Sequence, residues 1–287
     1  MAKNYRAELV GVFGDPVEGN PTGVMEEAGF AALGLNYRYL TIKVTPADFD
    51  AAIRSLRPLH FRGINLTMPH KIAVLPYLDE LSPAAAIIGA VNTVVVRGDQ
   101  LYGDNTDGRG FVAALGRAGL SPAGKTITLL GAGGAARAIA VECALAGAKQ
   151  ITVVNRTRDR GQELVDTLRA HTETQAEYLP WSHQLPVPEG TDILINATPV
   201  GMRPREQEAP DLDYTTVRSN MLAADVAFDP ADTQFLARCA AQGAHCVNGL
   251  GMLACQGALN FTLWTGVEAP FEVMFQALER EFHEAAR

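Results

Sequence analysis

The chain has 287 residues, 47% of them hydrophobic, with 24 basic against 32 acidic residues and a formal charge of −8. That length can fill two cores, and the acidic balance argues against a nucleic-acid or anionic-membrane surface. No run approaches the roughly 18–20 apolar residues of a membrane span, and MAKNYRAELVGVFG lacks an apolar signal core, so a cytoplasmic protein handling small molecules is expected.

Strand-like and helix-like runs alternate almost throughout. AELVGVFG reads as strand, TGVMEEAGFAALG as helix, YRYLTIKV as strand, PADFDAAIRSLR as helix and FRGINLT as strand. KIAVLPYLDEL reads as a short helix, and AVNTVVVRGDQLYG as a hairpin turning at Gly98-Asp99. After Asp107, GRGFVAALGRAG is an amphipathic helix and SPAGK a turn resembling a domain junction. A more regular series follows: TITLLG strand, GGAARAIAVECALAGA helix, QITVVNRT strand, RDRGQELVDTLRAH helix, then TDILINAT and NMLAADVAF as strands. GMLACQGALNFTLWTG and PFEVMFQALEREFHEAAR close the chain as helices, while 171–190 shows no clear period. The rhythm predicts an α/β fold of two domains with the active site in the cleft. Residues 1–108, completed by helices in 250–287, are expected to form an α/β substrate domain with a mostly parallel sheet, and 109–249 a second, Rossmann-like domain.

TITLLGAGGAARA places Gly131, Gly133 and Gly134 between a buried strand and a helix. Gly131 allows the tight turn, Gly133 lets backbone N–H groups approach a pyrophosphate, and Gly134 with Ala138 leaves room for helix–strand packing. A bare βα turn uses the same residues. The end of the next strand selects the dinucleotide: NAD would call for Asp or Glu about 20 residues on. Here VVNRTRDR offers Asn155, Arg156, Thr157, Arg158 and Arg160. Guanidinium and hydroxyl groups bind a 2′-phosphate, and three arginines at a positive helix N-terminus are unfavourable without an anion. NADP is the expected cofactor.

Lys71 follows one strand end and Asp107 the hairpin after it. A ketone accepting hydride needs a proton donor at its oxygen, and a Lys-Asp pair can serve. A carboxylate nearby raises the lysine pKa while burial lowers it. Either residue alone would read as a surface charge. The four cysteines and six histidines show no metal-ligand spacing, and no metal is expected.

GINLTMPHK, GAVNTV, GDNTDG, GAGGAARA, NRT, NATPVGM and GLGMLACQGALNFTLWTG stand in the order and spacing of the shikimate dehydrogenases, which the chain resembles from about residue 9 to 285. The resemblance implies NADPH-dependent reduction of 3-dehydroshikimate to shikimate, in the route to aromatic amino acids, with Lys71 and Asp107 as the catalytic pair. It implies that Asn65, Thr67, Asn92 and Gln256 bind the substrate's hydroxyls and carboxylate. It carries Ala132 and Ala135 beside the glycines, Ala197, Thr198 and Met202 of NATPVGM, and Val226, Gly249 and Met252 to the cofactor. The residues agree: a small polyhydroxylated ring needs many neutral donors and acceptors, and Asn65, Asn92, Asn105, Thr67 and Thr106 supply them.

The chain departs from the family at one end of the site. Asn20 and Thr22 stand in the places of a Ser-x-Ser element that holds the substrate carboxylate, and Phe228 replaces a tyrosine. Glu18 would repel a carboxylate if it pointed inward. These changes imply retained hydride chemistry with altered carboxylate-end recognition. The alternatives are a divergent paralogue acting on quinate or aminoshikimate, and a non-catalytic NADP-dependent ligand sensor. A monomer or homodimer is expected.

Overall fold

The computed structural model describes residues 5–285 and divides into two compact units, 1–106 with 254–287, and 107–253.

The first unit is built on a six-stranded sheet: β1 (Glu8–Gly14), β2 (Tyr37–Lys43), β3 (Gly63–Leu66), β4 (Glu80–Leu81), β5 (Thr93–Arg97) and β6 (Gln100–Asp104), in the order β2-β1-β3-β5-β6-β4. The pairs β1–β2, β1–β3 and β4–β6 run parallel, while β3–β5 and β5–β6 run antiparallel. The hairpin turns at Gly98-Asp99 as the sequence predicts, with Arg97 opposite Gln100. Its helices are α1 (Thr22–Ala32), α2 (Phe49–Ser55), α3 (His70–Ala73) and α4 (Pro83–Ile88). The helix expected over KIAVLPYLDEL breaks after α3 into a 3-10 turn at Leu75–Tyr77, because Pro76 has no N–H to continue the ladder. Phe13, Ile53, Leu56, Ile64, Leu66, Val91, Val94 and Leu101 form its core.

The second unit opens with α5 (Thr106–Arg117), so Asp107 lies in a helical first turn. β7 (Thr126–Leu130), α6 (Gly134–Leu145), β8 (Gln150–Asn155) and α7 (Arg158–His171) follow. The stretch without a clear period holds β9 (Gln175–Pro180) and the two-residue β10 (Leu185–Pro186). β9 is a sheet edge paired only to β8, and its alternately exposed residues blur the apolar signal. β11 (Ile193–Asn196), β12 (Leu212–Asp213), β13 (Leu222–Asp225), α8 (Gln234–Ala241) and β14 (His245–Val247) complete it. The main sheet, β14-β13-β11-β7-β8-β9, is parallel throughout. Its inner strands β13, β11, β7 and β8 are buried on both faces, as continuous apolar runs such as TITLL require. α9 (Gly249–Thr265) and α10 (Phe271–Ala285) end the chain, and α1 packs on α10.

Among the described residues no helix is long and apolar enough to cross a membrane, and no group of three or more His, Cys, Asp or Glu could hold a metal. The four cysteines are free thiols, and burial pushes Cys143 up to about 12.

Candidate functional site

In the first unit three residues marked for substrate, Asn65, Asn92 and Gln256, converge on one buried polar network. β3 and β5 are adjacent, which sets Asn65 opposite Thr93. Asn65 Nδ2 donates to Thr93 Oγ1 at 3.1 Å and to the Asn92 carbonyl at 3.3 Å, and its Oδ1 accepts from the Tyr39 hydroxyl at 2.9 Å. Asn92 Nδ2 donates to Thr106 Oγ1 at 3.0 Å, and its Oδ1 accepts from the Thr106 backbone N–H and stands 3.0 Å from Thr93 Oγ1 as an alternative acceptor for that hydroxyl. Asn260, fully buried on α9, accepts from Thr93 Oγ1 at 2.7 Å and Thr106 Oγ1 at 2.8 Å, and donates to Gln256 Oε1 at 3.0 Å. Asn65, Asn92 and Gln256 are thus held in fixed rotamers by neighbours with no slack. Asn105 points elsewhere, donating to the Ala90 carbonyl at 3.0 Å.

Sequence reasoning passed over Tyr39, Thr93 and Asn260. Asn260 had a local signal, since it lies four positions after Gln256 on one helical face. The partnership of Tyr39 with Asn65 had none.

Lys71 lies half-buried on α3, with its carbonyl accepting from Val91 N–H at 2.8 Å. The neighbouring His70 is buried, bonded at 2.7 Å to the Val44 carbonyl and stacked on Phe49 at 4.3 Å, which pins this short helix. Asp107 is half-buried at the start of α5, where the helix dipole favours a carboxylate. Thr67 follows β3, its N–H donating to the Phe13 carbonyl at 3.0 Å and its methyl against Gly14, where an added Cβ would come within 2.3 Å.

The residues at the departing end behave differently from the expectation. Asn20 Oδ1 accepts from the Thr22 N–H at 3.0 Å, so the amide caps α1 with its oxygen. Glu18 does not point inward: it is exposed, accepts from Val17 N–H at 3.0 Å and stands 3.9 Å from Lys43. Backbone N–H donors, Glu18's own and Val17's first, hold its pKa below the usual carboxylate value. Thr22 is buried, and its side chain hydrogen-bonds Tyr39.

In the second unit, Gly131 turns the chain at φ +105°, with its N–H on the Val154 carbonyl at 2.8 Å. Ala197 and Thr198 border this turn: a Cβ at Gly131 would be 3.0 Å from the Ala197 carbonyl oxygen and 3.1 Å from Thr198 Cγ2. At Gly133 and Gly134 an added Cβ would meet nothing within 4 Å, so the α6 N-terminus, with Ala132 and Ala135, faces open space. The packing role expected of Gly134 is therefore not met. The close approach belongs to Gly108, where a Cβ would fall 2.2 Å from the Ala138 carbonyl oxygen.

Arg156, Thr157, Arg158 and Arg160 are exposed at the start of α7, and none of the three arginines forms an ion pair among the described residues. Asn155 Nδ2 fixes the turn on the Thr157 carbonyl at 2.8 Å. A glycine-lined helix N-terminus beside unsatisfied guanidinium groups fits a dinucleotide with a 2′-phosphate.

Asn196 organises the NATPVGM loop. Its Nδ2 donates to both Asp225 oxygens at 3.1 and 3.2 Å, and its Oδ1 accepts from Thr198 Oγ1 at 2.7 Å. Asp225 also accepts from Thr233 Oγ1 at 2.7 Å, and burial pushes its pKa up. Met202 and Met252 are half-buried. Gly249 lies on Val226 and Ala227, where a Cβ would be 2.4 Å from the Val226 carbonyl oxygen.

The comparisons with known proteins bear on this geometry. Residues 12–94 match the family described as the shikimate dehydrogenase substrate binding domain, 115–227 that described as shikimate/quinate 5-dehydrogenase, and 249–279 the shikimate 5'-dehydrogenase C-terminal domain. A shikimate dehydrogenase (NADP(+)) of Desulforamulus reducens is 41% identical over 97% of each chain. The ligand-free 5-ketofructose reductase of Gluconobacter sp. strain CHM43 superposes with a TM-score of 0.93 at 42% identity, covering 97% of this chain and 100% of that one. The shikimate 5-dehydrogenase of Thermus thermophilus, solved with NADP(H) and shikimate, gives 0.84 at 35% identity over 95% and 99%.

Proposed function

The chain belongs to the shikimate dehydrogenase family, and from that premise we propose that it is an NADP-dependent oxidoreductase interconverting 3-dehydroshikimate and shikimate. The observation that carries this reading is 41% identity to an NADP-dependent shikimate dehydrogenase over 97% of both chains.

NADPH supplies the hydride. Lys71 gives a proton to the carbonyl oxygen as the alkoxide forms and takes one back in the reverse direction, with Asp107 as its partner in the proton transfer. Asn65, Thr67, Asn92 and Gln256 receive the ring hydroxyls; locked side chains cost little further ordering when the substrate arrives. Gly131, Ala132, Gly133, Gly134 and Ala135 bind the pyrophosphate, and Asn155, Arg156, Thr157 and Arg160 the adenosine 2′-phosphate. Ala197, Thr198, Met202, Val226, Gly249 and Met252 flank the nicotinamide. The protein works in the cytoplasm, as a monomer or homodimer, and free cysteines support that compartment.

A second reading rests on Asn20, whose amide oxygen is engaged by the helix it caps at 3.0 Å where the family places a serine hydroxyl. The likeness to a 5-ketofructose reductase supports it, because that substrate carries no carboxylate. Under this reading the same hydride chemistry acts on a neutral polyhydroxylated ketone.

NADPH oxidation is followed with 3-dehydroshikimate and with 5-ketofructose, and NADP reduction with shikimate and quinate. Turnover of one ketone, lost in Lys71→Ala with NADP affinity kept within twofold, is expected. Unchanged turnover in Lys71→Ala would refute the assignment, and NADP binding without turnover of any of the four would favour the sensor.

A further inference from the structure

Glu26 is a buried group that the reaction above leaves unexplained. It lies on α1 at 0% exposure, and neither carboxyl oxygen has a hydrogen-bond partner among the described residues. Its neighbours are groups proposed for substrate. Thr22 is four positions earlier, so both side chains leave one face of the helix. Thr22 hydrogen-bonds Tyr39, and the Tyr39 hydroxyl in turn donates to Asn65 Oδ1 at 2.9 Å. Across from them, Gly257 follows Gln256, and a Cβ at that glycine would stand 3.4 Å from Glu26 Oε1. The carboxyl therefore sits among Thr22, Tyr39 and the helix that carries Gln256.

Buried polar atoms are nearly always satisfied, so an orphaned carboxyl calls for an explanation, and a partner supplied by the ligand is one. Burial first, and the Glu27 carboxylate second, hold the Glu26 pKa well above the ordinary value, which favours the neutral acid. A neutral acid has one O–H to give and oxygens that accept, and a hydroxyl answers both. A ligand carboxylate can only accept, so it answers the O–H, leaves the accepting oxygens of the acid unmet, and brings a negative charge into a desolvated place. The loop leading into α1 is itself acidic: Asp15 and Glu18 share Lys43 at 3.4 and 3.9 Å.

We infer that Glu26, acting through Thr22 and Tyr39, is a positioning residue that selects an uncharged, hydroxyl-bearing end of a polyhydroxylated ketone over a carboxylate. This rests on the second reading above, hydride transfer to a neutral polyhydroxylated ketone, and names the residue that sets that preference at the same site.

Wild type, Glu26→Gln and Glu26→Leu are compared by kcat/KM for the two ketones of the preceding test and by thermal melting. Wild type should favour the neutral ketone. Glu26→Gln keeps the shape, replaces the acid by an amide donor and should move the ratio tenfold or more toward 3-dehydroshikimate. Glu26→Leu should lower kcat/KM for the neutral ketone tenfold or more, mainly through KM, while melting no lower than wild type. A ratio that stays within twofold in both variants overturns the inference and leaves the family reaction standing. Failure of both variants to fold also overturns it, since the carboxyl would then be structural. Turnover of neither ketone by wild type, with NADP still bound, removes the hydride-transfer reading itself.

Discussion

Asn260 holds the polar network together, and its replacement by leucine tests how much. The side chain accepts from Thr93 and Thr106 and donates to Gln256, all of them buried. Leucine keeps the branching at Cγ and removes three hydrogen bonds. Thr93 and Thr106 keep Asn92 Oδ1 as acceptor, at 3.0 and 3.2 Å, so each loses about 1 kcal/mol. Gln256 Oε1 loses the Asn260 donor, at about 1–3 kcal/mol. The extra apolar burial offsets about 1 kcal/mol, leaving a net loss of about 2–4 kcal/mol. With an m-value of about 2 kcal/mol per molar urea, the midpoint of the unit holding residues 5–106 should fall by about 1–2 M at unchanged m. Adding Thr93→Val should cost less than it does alone, because both changes remove the same bond. A fall below about 0.4 M, or strict additivity in the double variant, would refute the view that these side chains act as one network. KM for the ketone should rise as Gln256 loses its anchor.

Gly131→Ala should destabilise the second unit by about 1–3 kcal/mol and weaken NADP binding by titration, because φ +105° disfavours an L side chain and its Cβ would be 3.0 Å from the Ala197 oxygen. Arg156→Ala should raise KM for NADPH tenfold or more while leaving KM for NADH within twofold; equal effects on both would remove the 2′-phosphate assignment. Glu26 also has a pH signature. Its folded pKa is raised above the ordinary 4.5, so its proton-linked stability is full below that value and lost as pH rises through the folded pKa. Glu26→Gln should therefore exceed wild type in urea midpoint at pH 8, with the gap closing as the pH falls toward about 4.5. A gap constant across that range would contradict a titrating Glu26.

Short-range physics made much of this protein legible in its sequence. Continuous apolar runs and the Gly131 turn mark the parallel strands and the open α6 N-terminus, because alternation and turn chemistry are local properties. Arg156, Arg158 and Arg160 were visible for the same reason, as charges misplaced at a helix start. The structure finds them without ion pairs among the described residues. Tertiary structure alone decided what lies far apart in the chain. Asn260 meets Thr93 across 167 positions and Tyr39 meets Asn65 across 26, pairings that follow from strand order and carry no periodic signal. It moved the close-packing glycine from Gly134 to Gly108, turned Glu18 outward, and placed Glu26 out of reach of solvent. A carboxylate in sequence reads as surface, and only the packing of helices and strands around it fixes whether water, a cation or neither will meet its charge.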